Sequence, residues 1–79
     1  MIQALLLDFS SGEIEITEGK GKDFSFHWVT GDQALYEYLS AKYPPDTPIE
    51  LARDYVDSEE NVVTIEEMGK QLEGGLWGF

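Results

Sequence analysis

Seventy-nine residues without a single cysteine exclude disulfide staples and thiolate metal sites, so one small domain must hold together by apolar packing alone. Hydrophobic residues make up 42%, with two Trp, four Tyr and four Phe among them, which places the chain with globular rather than disordered sequences. A net charge of −11, from sixteen acids and five bases, disfavours nucleic acid or anionic membrane as direct partners and favours a basic surface.

The opening segment, Ile2 to Phe9, has the apolar alternation of a strand, with Ile2, Ala4 and Leu6 on one face and Leu5, Leu7 and Phe9 on the other. Both faces are expected to be buried. Ser10-Ser11-Gly12 supplies a turn, and Glu13 to Thr17 alternates again, with Ile14 and Ile16 inward and Glu13, Glu15 and Thr17 outward. Gly19-Lys20-Gly21-Lys22 is a second turn. Beyond it Phe24, Phe26 and Trp28 share one face of a third strand, and Ser25, His27 and Val29 the other. The first third is therefore predicted to be a three-stranded antiparallel meander over about 2–9, 13–18 and 23–29.

Three capping boxes follow. Thr30-Gly31-Asp32-Gln33 opens a predicted helix over 31–43 that carries Leu35, Tyr38 and Leu39 and stops at Pro44-Pro45. Thr47, Pro48 and Glu50 open a second helix over 48–56, although Ile49, Leu51 and Tyr55 also share the parity of a strand. Asp57 to Asn61 is a polar connection, and Val62-Val63 adds a short edge strand at most. Thr64-Ile65-Glu66-Glu67 opens a third helix over 65–73 that stops at Gly74-Gly75. The expected class is α+β: one domain over 1–79, with an apolar tail at 76–79 in which Trp77 and Phe79 either pack onto the domain or anchor a partner.

Catalytic motifs are lacking. His27 has no cysteine to pair with and no Ser/Asp spacing of a triad, so a structural or solvated imidazole is expected rather than a general base. Paired acids such as Glu59-Glu60 are expected to be solvated. Asp57-Ser58-Glu59-Glu60-Asn61 has the alternate oxygens of a calcium loop, but Val62 and Met68 stand where that loop needs Gly and Glu. Acidity and Asp57-Ser58 also give a likeness to acyl carriers, set aside because Glu59 follows the serine and strands fill the first third. Gly19 to Lys22 lacks the spacing of a phosphate cradle. No catalytic, cofactor or metal site is expected. The first residues lack a basic leader region and no run approaches about 20 apolar residues, so a cytoplasmic location is expected.

Charge is the informative feature. Residues 1–45 hold seven acids and three bases, a net −4; residues 46–79 hold nine acids and two bases, a net −7. The candidate partner-binding carboxylates are Asp46, Glu50, Asp54, Asp57, Glu59, Glu60, Glu66, Glu67 and Glu73, joined by Glu13 and Glu15 should the outer face of the second strand lie on the same side.

In length, acidity and lack of enzymatic motifs the whole chain resembles the phage-encoded inhibitors of bacterial defence, notably anti-CRISPR proteins. The resemblance is one of overall profile and carries over no residue. It implies a non-enzymatic inhibitor in the host bacterial cytoplasm. Such an inhibitor would cover the basic nucleic-acid-binding surface of a protein or complex, such as a CRISPR surveillance complex. Two alternatives use the same residues differently: an immunity protein or antitoxin against a basic toxin, and a phage structural or assembly adaptor that binds through its aromatic strand face or tail.

Overall fold

The computed structural model describes residues 2–8, 10–19, 22–53 and 61–77. Five strands and two helices follow in the order β1 (Ile2–Asp8), β2 (Glu13–Glu18), β3 (Ser25–Thr30), α1 (Asp32–Lys42), β4 (Pro48–Arg53), β5 (Asn61–Thr64) and α2 (Ile65–Gln71), with a 3-10 turn at Leu72–Gly74. The α+β class is as expected. The meander is present as β3-β2-β1, but it is part of a larger mixed sheet of order β3-β2-β1-β4-β5. β4 lies parallel to β1, Ile2 opposite Ile49 and Ala4 opposite Leu51, and β5 closes the far edge antiparallel to β4.

The helix expected over 48–56 is therefore wrong over 48–53, which form β4, while residues 54–56 lie outside the described residues. Pro48 suits the first position of a strand as well as that of a helix. Ile49 and Leu51 then alternate into the core and are buried. Burying two such side chains stabilises by about 1.5–3 kcal/mol each, against about 1 kcal/mol for a helix cap. Strand parity wins. The short Val62-Val63 strand is real, and the helix over 65–73 shortens to Ile65–Gln71 before tightening into the 3-10 turn.

Paired residues show which way the sheet faces. Ala4 is opposite both Ile16 and Leu51, Leu6 is opposite Ile14, and Ile49 is opposite Val63. These share one face and are buried with Leu35 and Leu39 of α1, Ile65 and Met68 of α2, and Leu76. Both helices thus cover one side of the sheet. Gly69 marks their closest approach, since a Cβ there would come within 2.9–3.1 Å of the Tyr36 ring.

The opposite side has no helix among the described residues. Gln3, Leu5 and Leu7 are only half-buried there, so β1 buries one face fully and not two. β2 and β3 are joined through Gly19, whose φ of +119° and whose contact with the Asp23 carbonyl, 1.9 Å from an added Cβ, leave no room for a side chain.

Candidate functional site

On the open face the register sets the outward residues of all five strands side by side. β3 presents Phe26 and Trp28, preceded by Phe24, and all three are more than half exposed. Trp28 lies opposite Glu15, Phe26 opposite Thr17, and Thr30 opposite the exposed Glu13. Gln3 and Leu5 of β1 come next, then Glu50 and Ala52 of β4, and finally Val62 of β5, which faces Glu50. The aromatic side of β3 points to solvent because Ile14 and Ile16 take Val29 and His27 as neighbours on the core side. His27 stacks on Tyr38 of α1 with ring centroids 4.4 Å apart, a structural contact.

The eleven candidate carboxylates do not form one face. Asp54, Asp57, Glu59 and Glu60 lie outside the described residues. Glu13, Glu15 and Glu50 share the open face of the sheet. Asp46, Glu66, Glu67 and Glu73 belong to the helical side or its rim. There the α1–β4 loop meets the first turn of α2 through Ile65 N–H donating to the Thr47 carbonyl (3.1 Å) and Glu66 N–H to that of Pro45 (2.9 Å).

Two of the helical-side carboxylates, Glu66 and Glu67, are held within α2. Glu67 accepts from the Thr64 backbone N–H at 3.2 Å while its own N–H donates to Thr64 Oγ1 at 3.2 Å, a complete capping box. Glu66 sits 3.8 Å from Lys70. Elsewhere Asp32 accepts from the Leu76 N–H, and Asp8 accepts from both the N–H and hydroxyl of Ser10, which hold its carboxyl below the usual range. Among the described residues Glu13, Glu15 and Glu50 have neither a side-chain hydrogen bond nor an ion pair. The same holds for Asp46 and Glu73 on the helical side, but only Glu13, Glu15 and Glu50 lie on the face that also carries the exposed rings of β3.

A second cluster, absent from the sequence reading, is structural. Glu18, at the end of β2, follows the inward parity of Ile14 and Ile16 and is buried, ion-paired with Lys42 at the end of α1. Burial pushes its carboxyl up, but the Lys42 ammonium, with the Tyr38 and Tyr43 hydroxyls nearby, outweighs this and leaves it below the usual range. The same pairing raises the Lys42 ammonium, whose charge also lies 5.4 Å and 5.7 Å from the centres of the Tyr38 and Tyr43 rings. Parity with Ile14 and Ile16 was the signal that marks Glu18 as inward.

Trp77 packs against the core, and its indole N–H donates to the Ala52 carbonyl at 2.8 Å. It belongs to the domain and is not a free anchor. Phe79 lies outside the described residues. Among the described residues no group of three His, Asp or Glu gathers as metal ligands, and no helix is long and apolar enough to cross a membrane. No family model, characterised protein or solved structure matches the chain.

Proposed function

We propose that the protein is a non-enzymatic inhibitor that binds the basic nucleic-acid-binding surface of a target protein or complex through the open face of its sheet and so denies it to DNA or RNA. The observation that supports this reading is the juxtaposition of Glu13, Glu15 and Glu50 with half-exposed Phe26 and Trp28 on the sheet face that no described helix covers. Carboxylates meet Lys and Arg, while aromatic rings suit the hydrophobic stems and cationic heads of the same side chains.

Charge density bears on how it would bind. Neighbouring same-face residues along a strand are about 6.8 Å apart, and strands about 4.8 Å, so Glu15 and Glu50 stand about 12 Å apart. Duplex DNA carries about seven charges over that length. The three carboxylates are sparser than a duplex, so they steer and orient, and the rings supply the contact energy. The observed exposure of the rings equally favours an adaptor that binds through aromatic contact first.

Salt separates the two. In capture from bacterial lysate, the wild-type chain is expected to retain a nucleic-acid-binding protein at 0.05 M salt. That protein should be released by about 0.5 M salt or by excess DNA or RNA, and lost with the triple variant Glu13→Lys, Glu15→Lys, Glu50→Lys. Capture that survives high salt and the triple variant but fails with Trp28→Ala would replace inhibition by charge with the adaptor reading.

A further inference from the structure

β3 runs along one edge of the sheet. It pairs with β2 throughout its length and, among the described residues, with nothing on its other side. Edge strands of monomeric proteins are usually guarded by charges, proline, a bulge or brevity. Ser25–Thr30 has none of these: six residues, no charged side chain, no proline, and an unbroken register from Glu18–Ser25 to Glu13–Thr30. The other edge, β5, is four residues long and runs straight into the acidic first turn of α2. Phe24, Phe26 and Trp28 remain 57%, 55% and 54% exposed beside the unguarded edge.

We infer that β3 is the seam of a homodimer in which two copies pair β3 antiparallel to β3 about a twofold axis, merging two five-stranded sheets into one of ten strands. The contact is isologous, so it closes after two copies. Charge selects this geometry over stacking of the open faces, which would press Glu13, Glu15 and Glu50 against their own counterparts. Edge pairing instead joins the acid-free strands. Glu15 and its counterpart then stand three strand spacings apart, about 14 Å, beyond the ~8 Å screening length of physiological salt. Registers that set Phe26 beside Trp28 of the second copy build a row of aromatic cross-strand pairs on the open face. The second copy is the occupant that brings an equally neutral, equally aromatic strand, with Asp23 and Asp32 confined to the two ends of the seam.

Area sets the strength. A buried Phe or Trp contributes 150–250 Å², so the exposed halves of three rings offer about 300 Å² per copy and about 600 Å² for the pair. With the strand backbones added, the seam lies at or below the ~1,200 Å² floor of stable interfaces. An interface of that size belongs to the weak, transient class.

The seam does not rest on the proposed inhibition but draws on the same Phe26 and Trp28 rings, so dimer and target would compete for them, and salt acts on the two in opposite directions. Sedimentation velocity and light scattering from 10 µM to 1 mM, at 0.05 and 0.5 M NaCl, test it. The expected result is a concentration-dependent dimer whose dissociation constant falls about three- to tenfold at high salt, as repulsion between two chains of −11 is screened. Phe26→Lys raises the dissociation constant at least tenfold although it reduces net charge. Val62→Lys, the same change on the opposite edge strand, leaves it unaltered. Trp28→Ser repeats the test should Phe26→Lys lose the circular dichroism of the native fold. A monomer throughout would give the edge to a strand of some other protein and overturn the inference. So would a dimer weakened by salt, one indifferent to both β3 variants, or one equally sensitive to Val62→Lys.

Discussion

Glu18 is the buried charge among the described residues, and its two oxygens fare differently: Oε2 is paired with Lys42, while Oε1 has no hydrogen-bond partner. A carboxyl held below its ordinary value of 4.5 in the folded chain contributes stability that is present above 4.5 and is lost as pH falls through the folded value. Glu18→Gln keeps the shape and removes the charge. The expected loss at pH 7 is about 1 kcal/mol, less than the 1.5–3 kcal/mol of a fully desolvated charged hydrogen bond, because the Lys42 side chain is about half in water. Urea unfolding at pH 7, 5 and 3 should show the variant and the wild type converging as pH drops below 4.5. A constant difference at all three would place the loss in packing rather than ionisation. The pair spans 24 positions, which is why only half of it was legible: parity marks Glu18 as inward, whereas nothing local says that the end of α1 will meet it.

Three sequence segments have the form of a capping box, and one becomes such a box. At Thr64 the chain leaves β5 and enters α2, so the hydroxyl and Glu67 have unsatisfied backbone donors to meet. Thr64→Ala is expected to cost about 1 kcal/mol, read as a fall of about 4–8 °C in melting temperature for a domain of this size. A shift under 1 °C would mean that α2 is held by Ile65 and Met68 alone. Thr30 fails as a cap because it is the last paired residue of β3, opposite Glu13, and Gly31 stands at the helix start without a side-chain bond. Thr47 fails because β1 demands a parallel neighbour. That demand is non-local, and it explains the pattern of success: β1, β2, β3, α1 and α2 were legible from alternation, turn residues and 3.6-residue spacing, while β4 was legible only through the parity of Ile49 and Leu51. The open face was half legible. Alternation grouped Phe24, Phe26 and Trp28, but the pairing of Ile16 with His27 decides that they face solvent.

At the scale of the molecule, −11 is spread over principal extents of 32 × 26 × 22 Å. At 0.01 M salt the screening length is ~30 Å, so every carboxylate feels most of the others; at 1 M it is ~3 Å. Self-repulsion of this kind opposes the compact state. Thermal stability is therefore expected to rise with NaCl between 0.01 and 0.5 M, by several degrees, and to do so also at protein concentrations too low for dimers. A flat or falling melting temperature would mean that local ion pairs outweigh the net charge. Net charge and its excess in the second half were plain in the sequence; the division of its acids between two sides of the fold was not. Helical neighbours spend Glu66 and Glu67 on α2 itself, and strand register leaves Glu13, Glu15 and Glu50 unspent.

The parallel pairing of β1 with β4 sets a clock on synthesis. Ile2 waits for Ile49, 47 positions later, which at about 5–20 residues per second is several seconds of translation. Throughout that interval the β4 side of β1 has no partner, whatever the hairpins beside it have done. A nascent chain in this condition is the species most exposed to holding chaperones and to mispairing with its neighbours on a polysome. The arrival of β4, rather than closure of the first hairpins, is the step that ends that exposure.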